Sequence, residues 1–197
     1  SVMFYGASFS QDIGNWDTSN VTDMSGMFYD SDFFNGDIGG WDTSNVTDMS
    51  FMFRGTLHFN QDIGSWNTSN VNLMYYMFDN ATSFNQDIGN WDVSSCTNFY
   101  CMFAVTEAFN QDLSSWDVSN GISFDDMFIN ATSFDQDIGD WDVSNGRNFV
   151  GMFNRARSFN QDIGGWDVSN GIEFGGMFFD ATSFNHCLLY TSPSPRD

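Results

Sequence analysis

Lysine is absent from this 197-residue chain, and five arginines stand against 26 acidic residues, for a formal net charge of −21. A surface this acidic cannot neutralise phosphates, which excludes nucleic acid as a partner. Histidine occurs twice, at His58 and His186. With so little imidazole there is no nucleophile–base pair, no metal-ligand cluster and no phosphate loop, so the chain reads as a non-enzyme without a cofactor or a catalytic metal. The three cysteines, Cys96, Cys101 and Cys187, have neither a disulfide framework nor zinc spacing. No run is long and apolar enough to span a membrane. Glutamate is nearly missing too: all the acids except Glu107 and Glu173 are aspartate. Net charge alone would be served by either residue. The bias to aspartate points to local geometry, because its short side chain closes turns on nearby backbone. Calcium coordination would also favour aspartate.

What is present is a repeat. All seven tryptophans, Trp16, Trp41, Trp66, Trp91, Trp116, Trp141 and Trp166, lie 25 residues apart. A fixed period of this length marks a solenoid that buries its apolar residues against neighbouring turns. The array runs over residues 1–185 as about seven units of a longer array. It stops at His186, and 186–197 reads as a non-repeat, foreign tail.

Within a unit, Ile-x-x-Trp-x-Val, as in Ile88, Trp91 and Val93, suggests a short strand with Asp92 on its outer face. Val46, Met49, Met52 and Phe53 then follow at i, i+3, i+6 and i+7, the face of a short helix. Ser44-Asn45 would cap it and Asp48 would sit in its first turn. A small residue recurs at Ser31, Thr56, Ala81, Thr106, Ala131, Ala156 and Ala181, where neighbouring coils approach closely. A phenylalanine closes each unit, from Phe9 to Phe184, as a packed spine. Three columns change together along the array. Thr18, Thr43 and Thr68 give way to valine; Val21, Val46 and Val71 give way to Gly121, Gly146 and Gly171; methionine gives way to Phe124, Phe149 and Phe174. Such covariation implies contact in the core, with lost valine volume offset by the larger phenylalanine.

The phrase "WDTSNVTDMSGMFYDS…FNGDI" and its further copies resemble the BspA-like leucine-rich repeat of bacterial and protist surface proteins. The later glycine-containing units, Asn67 in place of Asp, and the tail depart from that pattern. The resemblance implies an α/β repeat solenoid: a right-handed, leucine-rich-repeat-like superhelix with one short parallel strand and one short helix per 25-residue coil. It also implies an extracellular or cell-surface location and a role in adhesion or recognition, with a protein or glycan bound on the concave strand face. The alternative is a structural spacer or coat component with an acidic face.

Two acidic columns bear on that choice. Asp12, Asp37, Asp62, Asp87, Asp112, Asp137 and Asp162 precede the expected strand and read as turn formers. Asp17, Asp42, Asn67, Asp92, Asp117, Asp142 and Asp167 would project from it. Carboxylates stacked about 4.8 Å apart repel by about 0.9 kcal/mol in water. Either an Asx turn to the following serine or a held cation, calcium among them, would offset this. The variable residues beside each tryptophan, Asn15, Gly40, Ser65, Asn90, Ser115, Asp140 and Gly165, are the candidates for specificity.

Overall fold

The computed structural model describes residues 3–7 and 11–186. Phe9 and residues 187–197 of the presumed tail lie outside the described residues. The period is real in space. Each unit lies against the next, and residues 24 to 28 apart are joined by hydrogen bonds. The expected secondary structure is not there. Among the described residues there is neither a helix nor a multi-residue strand. Parallel pairing is limited to single-residue bridges such as Asp23–Asp48, Asp48–Leu73 and Asn98–Ser123. The α/β leucine-rich-repeat architecture is therefore overturned: each coil is a succession of tight turns.

The second unit shows how the backbone is satisfied without regular structure. Trp41 N–H donates to Ile38 O at 3.1 Å, Val46 N–H to Thr43 O at 2.9 Å, and Phe59 N–H to Thr56 O at 3.2 Å, each closing a four-residue turn. Residues 49–56 alternate. The N–H groups of Met49, Phe51, Phe53 and Gly55 cross to the carbonyls of Leu73, Tyr75, Met77 and Asp79 at 2.8 to 3.1 Å. Those of Met52, Arg54 and Thr56 turn back to Met49, Phe51 and Phe53 at 3.1 to 3.2 Å. Ser50 N–H completes the set by donating to Asp48 Oδ1 at 2.8 Å. Every donor of the segment is paired, as burial requires.

This is the stretch that the 3.6-residue spacing predicted to be helical. Left-handed residues forbid a helix there. Phe51 (φ 58°) and Gly55 (φ 72°) lie four apart, and so do Tyr76 and Asn80, Cys101 and Val105, Gly151 and Arg155. A right-handed helix cannot pass through such a position. Conversely, the Ile-x-x-Trp segment expected to be a strand is a turn, with Trp91 N–H bonded to Ile88 O at 3.1 Å. Inter-unit pairing runs through the supposed helix and not through the supposed strand.

The core is a set of aromatic ladders. Phe28, Phe53, Phe78, Phe103, Phe128, Phe153 and Phe178 stack unit on unit at 5.6 to 5.7 Å. Each also lies flat against the closing phenylalanine of its own unit, as with Phe53 and Phe59 at 4.0 Å. The small column fits beside them, with Ser31, Thr56, Ala81, Thr106, Ala131 and Ala156 fully buried. Six of the seven tryptophans tie two units together. The Nε1–H groups of Trp41, Trp66, Trp91, Trp116, Trp141 and Trp166 donate to the Ile or Leu carbonyl of the preceding unit at 2.9 to 3.1 Å. Cys96 and Cys101 are buried free thiols, pushed up to about 12 by burial.

Two of the three covarying columns meet side by side as expected, and the third is reached at its backbone carbonyl. A Cβ on Gly121 would lie 2.4 Å from Phe124 Cζ and 2.9 Å from Val118 O, and Gly146 and Gly171 face Phe149 and Phe174 in the same way. The ring fills the volume of the missing side chain. Gly121→Val should therefore lower stability by about 1–3 kcal/mol through overpacking. Adding Phe124→Met restores the pairing of the early units and should recover most of the loss. Thermal melts of the single and double variants check this.

Candidate binding surface

All seven residues of the Asp17–Asp167 column are exposed, but the strand meant to present them is absent. They are turn residues. Asp17 Oδ1 accepts the Ser19 N–H at 3.1 Å and its hydroxyl at 2.6 Å. Asp42, Asp92, Asp117, Asp142 and Asp167 accept the backbone N–H of the serine two residues on at 2.9 to 3.0 Å. Asn67 makes the same turn with a neutral amide, accepting from Ser69 N–H at 3.1 Å and Oγ at 2.7 Å. The serine hydroxyl first, and its N–H second, hold Asp17, Asp42, Asp117 and Asp142 below the ordinary carboxylate value. For Asp167 the N–H of Ser169 leads. The Asp12–Asp162 column closes a second set of turns, for example Asp62 Oδ1 with Gly64 N–H at 3.0 Å.

The variable column, Asn15, Gly40, Ser65, Asn90, Ser115, Asp140 and Gly165, is exposed throughout. Two of its serines are engaged between units: Ser65 Oγ donates to Gly39 O at 3.2 Å and Ser115 Oγ to Gly89 O at 2.6 Å. Asn15 and Gly40 share a shallow groove of about 390 Å³ with Asp12 and Asp37. Among the described residues no group of three or more His, Cys, Asp or Glu side chains is placed to hold a metal ion.

Sequence reasoning missed an amide ladder. The side-chain oxygen at Asn35, Asn60, Asn85, Asn110, Asp135 and Asn160 accepts the backbone N–H of the next unit at 2.8 to 2.9 Å. The following glutamines reach back to the same residue, as Gln86 Nε2 does to Asn60 O at 3.0 Å. His186 takes the glutamine position, with Nε2 2.9 Å from Asn160 O. In the "FNQD" phrase the expectation falls on the aspartate, as a turn former that bonds backbone between coils; the bonds between coils run through the asparagine and the glutamine instead.

It also missed an aromatic row outside the core. Tyr5, Tyr29, Phe51, Tyr75, Tyr76 and Tyr100 include five of the chain's six tyrosines. Tyr5 is exposed and the others are half-buried. They form a continuous chain of ring contacts: Tyr5–Tyr29 at 5.1 Å, Tyr29–Phe51 at 6.2 Å, Phe51–Tyr76 at 5.0 Å and Tyr76–Tyr100 at 4.9 Å. Arg54 lies over three of them, its Cζ 5.2 Å from the Tyr29 ring, 5.8 Å from Phe51 and 4.9 Å from Tyr76. Its Nε is 2.8 Å from Asp79 Oδ2. Burial raises the Asp79 pKa, and the guanidinium opposes that shift. Towards the other end of the array, Arg155 and Arg157 share Asp180, and with Glu107 they line a groove of about 530 Å³.

Comparison with known proteins adds one match. A family profile described as "Mycoplasma protein of unknown function, DUF285" matches residues 1–112 and again 86–190. The chain belongs to the DUF285 family. No curated protein and no solved structure matches it. As a DUF285 repeat array, it keeps its turn chemistry in nearly every unit, and its row of tyrosines lies in the part of the array up to Tyr100.

Two outcomes follow from the carboxylates. Where the folded-state pKa lies below the unfolded value, the stabilisation is complete above the unfolded pKa. It is lost as pH falls through the folded value. The triple change Asp117→Asn, Asp142→Asn and Asp167→Asn keeps the turns, as Asn67 does, so the melting temperature at pH 7 should move little. The decline in melting temperature below the ordinary carboxylate value of 3.8 should become shallower. Removing Arg54 works in the opposite sense. Arg54→Met leaves the Asp79 carboxylate buried without its cation and should cost about 1–3 kcal/mol at pH 7. That deficit should shrink on acidification as Asp79 takes up a proton. Melts of wild type and variant at pH 7 and pH 4.5 give the comparison.

Proposed function

We propose that the chain is a surface-displayed recognition module of the BspA-like kind, binding a protein or glycan partner by contact and not by catalysis. The observation that carries this reading is the aromatic row over Tyr29, Phe51, Tyr75, Tyr76 and Tyr100. The buried phenylalanine ladders already supply the packing of these units, and the half-buried tyrosines stand outside that core. Tyrosine offers a broad, rigid contact surface with a polar tip, which suits it to an interface. This surface replaces the concave strand face inferred from the resemblance.

A spacer or coat role draws on a different observation: both acidic columns are engaged in turns and need no partner. The two readings separate on glycan and protein arrays probed with the full chain. A recognition module gives discrete hits that the double variant Tyr75→Ala, Tyr100→Ala loses while its melting temperature stays close to that of wild type. A spacer gives no discrete hit.

A further inference from the structure

Beside the Arg54 cage, on the same row, lies a groove of about 280 Å³ walled by Tyr29, Phe51 and Tyr75, with Asp48, Ser25 and Ser50 along its side. Its rings meet at an angle: Phe51 and Tyr75 are 5.1 Å apart at 83°, and Tyr29 and Phe51 are 6.2 Å apart at 39°. Aromatic walls with a carboxylate at the edge suit a cation, which binds over ring faces. Asp48 is half-buried, and both of its bonds from Ser50 fall on a single oxygen, Oδ1.

The molecule carries its own example of this chemistry in the adjoining cage. There Tyr29, Phe51 and Tyr76 surround the Arg54 guanidinium, and Asp79 supplies the carboxylate. Two of the three rings, Tyr29 and Phe51, serve both sites. We infer that the groove takes a cationic side chain, an arginine or lysine of a basic protein partner, held by Tyr29, Phe51, Tyr75 and Asp48 as Arg54 is held by its cage. The inference rests on the recognition reading above and narrows it to one partner chemistry. Charge favours this occupant over a neutral one. A chain of net charge −21 draws a basic segment to its surface. The groove then selects one side chain from that segment, which diffuse charge cannot do.

The test uses probes with a single cationic group, so that general acidity alone cannot produce the result. The full chain, labelled with 13C-tyrosine, is titrated with N-acetyl-arginine amide and with tetramethylammonium, and ring resonances are followed by NMR. The Tyr29 and Tyr75 signals should move together. Tyr75→Ala and, separately, Asp48→Asn should each weaken binding by about five-fold. Asp48→Asn spares the fold, because Asn98 in the same column already closes this turn with Tyr100 N–H at 2.9 Å. Asp142→Asn removes one charge elsewhere and should leave binding unchanged. Equal affinity in all of these variants would assign binding to diffuse charge and overturn the inference. Ring shifts produced by a neutral hexasaccharide but not by the cations would also overturn it, while leaving the recognition reading standing. No ring shift from either kind of probe, together with empty arrays, would sink both.

Discussion

Everything in this fold depends on how backbone donors are divided between a unit and its neighbour. In residues 49–56 every second N–H leaves its own coil and bonds the next, while those between close local turns. Neither half would suffice alone. Local turns without cross bonds would make a floppy ribbon, and cross bonds without turns would need an extended strand that the left-handed residues exclude. Left-handed geometry costs about 1–2 kcal/mol at each non-glycine position. The chain accepts that cost at Phe51, Tyr76, Cys101 and Val105 because each sits where the N–H must point at the neighbouring unit. Tryptophan reinforces the division. The Ile38 carbonyl accepts both Trp41 N–H of its own unit and Trp66 Nε1–H of the next.

The period, the inward tryptophans and the covarying Gly121–Phe124 pair were legible in the sequence, because they are matters of spacing and volume. The secondary structure was not. Val46, Met49, Met52 and Phe53 face the core in a run of turns as well as they would in a helix, so their spacing does not separate the two. The decisive signal was the left-handed column. Its glycines are Gly26, Gly55, Gly151 and Gly176, scattered over two positions of the unit; Asp30, Asn80, Asp126, Asn130 and Asp180 stand at the same positions in other units, and so do Phe51, Tyr76, Cys101, Val105 and Arg155. Gly, Asn and Asp are the residues that visit this geometry most readily, so the column did carry a signal, diluted by the bulky residues between them. The candidate surface was hidden for a related reason. Tyr29, Phe51, Tyr75 and Tyr76 do not share one column, and they come together only once residues about 24 apart are laid side by side.

The acidic columns gain a sharper meaning. Asn67 closes the same turn as its aspartate counterparts without charge. The turn therefore accounts for the short side chain and not for the negative sign. With a net charge of −21, the array holds far more negative charge than its turns demand. That excess sets the field any partner meets before it reaches a specific contact.

The alternation of donors also constrains how such an array can change length. Inserting a single residue within the alternating segment would exchange the roles of all the N–H groups beyond it, sending inward those that should cross and outward those that should turn. The defect could not heal locally, because each unit is the template for the one stacked on it. Gain or loss of a whole 25-residue unit leaves every parity intact and keeps the same columns in register. Reach along the stacking axis is thus quantised, and an array of this kind can be lengthened by duplication without any new solution to its packing.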